Sequence, residues 1–176
     1  MRSVILGICL LFAASMVSAQ NLGIQFDKMP VGAKLYYKNS QNETWVQTYK
    51  GKSGKFYIVS EKWDGYNSPR THYYNSDGHR VKTRYKSGGT VKYTPMNCER
   101  VVGSCTYRYN GNPKYNGMYQ TSLVKEGSSY RYFWSEQKTS EKYEYLVTFG
   151  KYNVLQEESW TLSSGRKRWR KLLRIE

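Results

Sequence analysis

At 176 residues the chain can build one domain with a continuous core and not comfortably two. Its 28 Lys and Arg against 13 Asp and Glu give a formal net charge of +15, a surplus that attracts acidic polymers or anionic surfaces and also serves solubility. After residue 19 charges interrupt every apolar run, so no later segment crosses a bilayer as a helix; a membrane barrel would need an apolar band where many alternate positions here are Lys, Arg, Ser or Thr.

In chain order, the first element is a secretory signal. Arg2 supplies the positive start, Val4 to Val17 is almost wholly apolar, and Val17-Ser18-Ala19 places small residues before Gln20. Cleavage after Ala19 is expected, which makes the protein secreted or periplasmic and leaves residues 20–176 as a single β-rich domain. Cys9 lies inside the apolar stretch without small residues before it, so lipid attachment there is not expected.

Beyond the lead Gly23-Ile24-Gln25-Phe26, short runs of Tyr, Val, Thr, Trp and Phe alternate with Gly, Asn, Ser and Asp, which is strand-and-turn chemistry. Strands are expected near 33–38, 43–50, 54–62, 70–75, 79–86, 90–94, 104–110, 118–125, 129–136, 143–150, 152–161 and 166–175. Asn75-Ser76-Asp77-Gly78, Ser87-Gly88-Gly89 and Glu126-Gly127-Ser128 offer tight links between neighbours. Short links imply an antiparallel meander, which closes into a small calyx-like barrel or packs as a β-sandwich. The fold class read from the sequence is therefore all-β, after a cleaved signal helix.

Tyr36-Tyr37-Lys38-Asn39-Ser40 and Gln47 to Gly54 are partly echoed by Tyr73-Tyr74-Asn75-Ser76 and Thr83 to Gly89, suggesting a duplicated hairpin. Tyr73-Tyr74-Asn75-Ser76-Asp77-Gly78 resembles one unit of the Tyr-Gly hairpin repeats of YD or MORN type. No regular series follows it, so the resemblance implies no function.

Cys98 and Cys105 remain as an even pair after signal removal and are expected to form a disulfide. The closed segment is short, and loop entropy gives it about 2.5 kcal/mol at most, enough to staple a turn.

Two basic clusters stand out. With Val81, Thr83 and Tyr85 inward, Arg80, Lys82, Arg84 and Lys86 face outward, joined by Lys92 on the next strand into a cationic stripe. The second cluster is Arg168, Trp169, Arg170 and Lys171; read as a strand, Trp169, Leu173 and Ile175 share a face with Lys167 and Lys171. Arg pairs with phosphate, sulfate or carboxylate, and neighbouring Trp and Tyr can shape the contact.

Catalytic chemistry is sparse. His72 and His79 are the only histidines and lack an evident third metal ligand, while Glu157 and Glu158 project to opposite strand faces. No nucleophile elbow, phosphate loop or zinc-protease helix is present, so neither an enzyme nor a cofactor or metal is expected. Nucleic-acid motifs are absent as well. The reading that follows is a non-enzymatic binding protein whose cationic sheet face engages an acidic glycan, an anionic membrane surface or another polyanion. The alternatives are a calyx-like carrier of a small apolar ligand and an assembly protein of the cell envelope.

Overall fold

The structure is a computed structural model that describes residues 20–67, 69–111, 113, 115–136 and 142–176. The expected signal segment, with Cys9, lies outside the described residues.

Twelve strands follow one another: β1 (Lys34–Asn39), β2 (Thr44–Ser53), β3 (Phe56–Trp63), β4 (Arg70–Tyr74), β5 (Arg80–Tyr85), β6 (Thr90–Thr94), β7 (Gly103–Asn110), β8 (Gly117–Glu126), β9 (Ser129–Glu136), β10 (Lys142–Phe149), β11 (Leu155–Thr161) and β12 (Lys167–Ile175). Each pairs antiparallel with the next, and β12 returns to β1, so the sheet is a closed up-and-down barrel and the sandwich alternative falls away. All twelve lie where turn chemistry and alternation put them, to within three residues. At the start of the eleventh, Lys151–Asn153 form a single 3₁₀ turn, with Tyr152 and Asn153 at positive φ, and the strand begins at Leu155.

Alternation sorts the side chains. Tyr37, Trp45, Val59, His72, Thr83, Val91, Tyr107, Tyr119, Tyr132 and Val147 are buried on the inner face. Lys82, Lys92, Arg108, Arg131 and Lys171 stand on the outer one. Arg or Lys at a bilayer midplane costs about 2–4 kcal/mol each. A lipid-facing band at these positions would carry that cost at each of them.

Two bulges change the expected alternation. Opposite Tyr73 and Tyr74 the register jumps from Lys82 to Arg80, so one extra residue turns Arg80 into the barrel while Lys82 and Arg84 keep facing outward. The expected four-residue outward stripe on β5 is corrected accordingly. In β12 the register jumps from Leu172 to Arg174, which turns Ile175 inward against Leu35 instead of leaving it on the face of Trp169 and Leu173.

One end of the barrel is closed by residues 20–33. Phe26 packs at 5.0 Å between ring centroids against each of Tyr49, Tyr57 and Tyr74. Leu22 N–H donates to the Arg100 carbonyl, Ile24 N–H to Gly78 and Gln25 N–H to Tyr152, which ties the segment to three of the turns at that end. The segment 95–102, between β6 and β7, lies at the same end and is stapled by the Cys98–Cys105 disulfide, whose Cα atoms are 5.8 Å apart.

The two similar hairpins do not repeat as structural units. One copy lies on β1 and β2 and the other on β4 and β5, an offset of three strands, so in an alternating meander the copies run in opposite directions along the barrel axis.

The closed end demands glycine where segments touch. A Cβ on Gly78, at φ 75°, would lie 2.2 Å from the Ile24 carbonyl oxygen, whereas Gly54, at φ 55°, has open space around it. Gly54→Ala is expected to cost about 1 kcal/mol, the strain of positive φ alone. Gly78→Ala must also displace backbone and should lower the melting temperature several degrees further in a thermal scan; equal effects would mean that the end segment is not held against this turn.

Candidate functional site

A floor of charged side chains crosses the barrel interior, assembled from four elements. β5 delivers Arg80 through its bulge, the disulfide-stapled segment 95–102 delivers Glu99 and Arg100, β11 delivers Glu158, and β12 delivers Arg170. Arg80 Nη2 donates to both Glu99 carboxylate oxygens at 3.2 and 3.4 Å, and Asn97 Nδ2 donates to the first of them at 3.2 Å. Arg170 is ion-paired with Glu158. Arg100 donates to the Asn153 carbonyl and lies 4.7 Å from the Phe149 ring centroid, with no carboxylate at ion-pair distance among the described residues.

Above and beside the floor is open space. A cavity of about 440 Å³ and a second of about 180 Å³ share Arg80, Asn97, Glu99, Arg100, Leu155 and Arg170 in their walls. They are two lobes of one lumen. The Glu99 side chain remains 44% exposed although it stands inside the closed sheet, so its accessible surface is lumen surface.

Aromatic side chains wall both lobes. In the larger, Tyr107 stacks on Tyr119 at 5.4 Å and Tyr145 meets Trp160 at 5.5 Å, with Trp134 beside Tyr119 at 5.6 Å. In the smaller, Tyr37, Trp45 and Trp63 stack in series at 5.3 and 4.3 Å. Such rings offer flat faces to a planar or saccharide ligand, and tyrosine adds a hydroxyl at the edge. Burial pushes the Tyr109 and Tyr119 hydroxyls up to about 12 and the Tyr107 and Tyr132 hydroxyls higher still, so all remain protonated donors near neutral pH.

The two floor carboxylates behave differently. Burial raises the Glu99 pKa, but Arg80, Arg170 and Arg100 all act on it and hold it below the ordinary carboxylate value. Burial raises Glu158 and wins there, because Arg170 is opposed by the negative charge of Glu99.

In the smaller lobe Glu61 is the organising acceptor. Gln47 Nε2 and Trp63 Nε1 each donate to it at 2.8 Å, Arg70 lies at 3.6 Å and His72 Nε2 at 3.3 Å. Burial would raise its pKa, yet the contacts from His72, Gln47 and Trp63 outweigh this and bring it to about 2. His72 is itself held below its usual value, by burial first, and its Nδ1 is 2.9 Å from Thr83 Oγ1. A neutral imidazole with its proton on Nε2 lets Nδ1 accept from the Thr83 hydroxyl, while Nε2–H stands near Glu61 without hydrogen-bond geometry.

Of the sequence-derived basic residues, the structure brings Arg80 and Arg170 together in the lumen and puts Arg168 on the same inner face of β12 as Arg170. Lys82, Arg84 and Lys92 stay on the outer wall, Trp169 and Lys171 stand outside with the ammonium 5.1 Å from the Trp ring centroid, and Lys86 sits in the turn beyond β5, donating to the Asn67 carbonyl at 3.4 Å. The two clusters are separated by β1 to β4 around the wall and form no single face. Sequence reasoning missed Glu99 and Arg100, which carry no periodic signal, and Glu61. Glu157 and Glu158 do point to opposite sides, Glu158 inward to Arg170 and Glu157 outward beside Lys171.

The fold and site define a closed twelve-stranded barrel with a tyrosine-walled, charge-floored lumen. No protein-family model matches the chain, and no curated protein does. Among solved structures the chain is similar to a "putative lipoprotein" from Parabacteroides distasonis, with 10% identity over 90% of this chain and 99% of that one and a TM-score of 0.36. The barrel assignment rests on its own hydrogen-bonded register.

The lumen sets a pH response. His72 and His79 both have pKa values lowered mainly by burial, so as pH falls through 6.5 the unfolded chain takes up protons before the folded one and stability declines. Glu61 and Glu99, also lowered, add a second loss as pH falls below the ordinary value of 4.5. Glu158 is raised and contributes with the opposite sign, its stabilisation present below 4.5 and lost as pH rises through its folded value. The melting temperature is expected to be flat above pH 7, to start falling near 6.5, and to lose that first step in a His72→Asn, His79→Asn variant; a flat profile from pH 8 to 5 in the parent protein would contradict the assignment.

Proposed function

We propose that this is a secreted or periplasmic binding protein that holds a small, polar, acidic ligand bearing a ring within its lumen. The observation that carries the reading is the floor itself, where the guanidiniums of Arg80, Arg100 and Arg170 line a cavity of about 440 Å³ against the two carboxylates of Glu99 and Glu158. The local surplus is cationic. A carboxylate, phosphate or sulfate on the ligand supplies the missing acceptor for Arg100, and the aromatic walls accept a sugar or other ring by stacking.

Two alternatives lose support. A purely apolar ligand would strip water from these charged groups and from the tyrosine hydroxyls without replacing its hydrogen bonds, at about 1–3 kcal/mol per orphaned group. Envelope assembly through free strand edges loses the edges that it needs, because closure pairs the first strand with the last. The outer residues Lys82, Arg84 and Lys92 support an earlier, salt-sensitive encounter with an acidic surface.

Trp134 and Trp160 line the lumen and report on its contents. Titration of the purified protein with uronic acids, sugar phosphates and neutral hexoses should give saturable fluorescence changes with the acidic compounds. Arg100→Gln should weaken that binding by about tenfold or more, since a hydrogen bond to a charged group contributes about 1.5–3 kcal/mol, while Lys82→Gln with Arg84→Gln should leave it near the parent value. Equal binding of neutral hexoses, or loss with the outer variants and not with Arg100→Gln, would overturn the proposal.

A further inference from the structure

The barrel wall splits beside the lumen. β10 pairs with β9 from Lys142 onward, and β11 pairs with β12 as far as Thr161, yet the ladder between β10 and β11 ends at Leu146 opposite Ser159. From there to the open end of the barrel the two strands diverge, away from the turn that joins them at the closed end. A groove of about 1000 Å³ lies over this split. Tyr145 and Trp160 belong to its walls and also to those of the larger lumen lobe, and their rings meet across the gap at 5.5 Å. Only side chains separate the lumen from the outer groove at this point.

The lining outside the rings is mixed, with Leu146 and Leu162 exposed beside several polar groups. Ser159, Thr161 and Ser163 contribute hydroxyls, and Lys142 and Lys167 contribute ammonium groups with no ion pair among the described residues. Arg131 also borders the groove but is taken up by Glu126 and Glu144. An acyl chain leaving the lumen here would meet Leu146 and Leu162 but also two ammonium groups that it cannot pair. A chain of acidic sugars would find cations and hydroxyls.

We infer that the lumen and the split between β10 and β11 form one continuous site for the end of an acidic oligosaccharide. The terminal unit occupies the lumen with its acidic group toward Arg100, the Tyr145 and Trp160 rings part to admit the chain, and the next acidic units lie near Lys142 and Lys167. This rests on the lumen reading above and extends it from a free small molecule to a chain end.

The test is a length series of oligouronates, from one to four units, titrated against the parent protein and a Lys142→Gln, Lys167→Gln variant. Both lysines are exposed, so the variant should retain the parent melting temperature. Affinity is expected to rise at least tenfold from the single unit to the trimer in the parent. The variant should lose most of that gain while binding the single unit as the parent does. Equal affinity for one and three units, or a gain with length that the variant keeps, would overturn the split as part of the site and leave the lumen reading standing. Absence of binding to every member would overturn both. A control series of carboxylate detergents binding more tightly as the alkyl tail lengthens, with no gain along the oligouronates, would assign the split to an amphiphile and overturn the glycan.

Discussion

A barrel of twelve strands encloses more space than aliphatic side chains can fill, and the contents of this molecule follow from that width. A narrower barrel could close over a packed core of Val and Leu. Here the inward positions carry Tyr, Trp, Arg, Glu and His, long enough to reach toward one another and polar enough to tolerate the space left between them. The apolar packing is pushed to the closed end, where Phe26 and its neighbouring tyrosines seal the bottom. Charges stand above that seal because they are the groups that can face a water-filled or ligand-filled space without loss.

Holding opposite charges in such a space requires rigid supports from several directions. Arg80 depends on one extra residue in β5, Glu99 and Arg100 on a segment held by Cys98–Cys105 and by the backbone bond from Leu22, and Arg170 on a strand paired on both sides. No two of these supports share a local origin. The floor exists only when the barrel has closed, which makes a secure ring of strands a condition of the site's chemistry.

This explains why the wall was legible in the sequence and the site only in part. Strand positions follow from local signals: period-two runs such as Tyr143, Tyr145 and Val147, and turn residues such as Asp77-Gly78. The disulfide followed from a count of cysteines. The inward turn of Arg80 did not, because a bulge shifts every side chain before it by one face and leaves no compositional mark. Glu99 and Arg100 lie in a connecting segment without alternation, so their direction is set by what the segment is tied to. Arg168, Trp169, Arg170 and Lys171 read as one basic cluster in sequence, yet strand geometry divides them between lumen and solvent. The split beside β10 depends on where a ladder stops, which is a property of the assembled sheet.

The meander has a kinetic corollary. Ten of the eleven successive pairings along the chain need only a hairpin or a short link, and even the 95–102 connection is brief, so the sheet can grow strand by strand through contacts close in sequence. One ladder is different in kind, the pairing of β1 with β12, which joins the beginning of the domain to its end. Until that ladder forms the sheet is an open ribbon with two free edges and no interior. A newly made chain therefore stays a pliable ribbon, with no lumen and no charged floor, until its last strand meets its first.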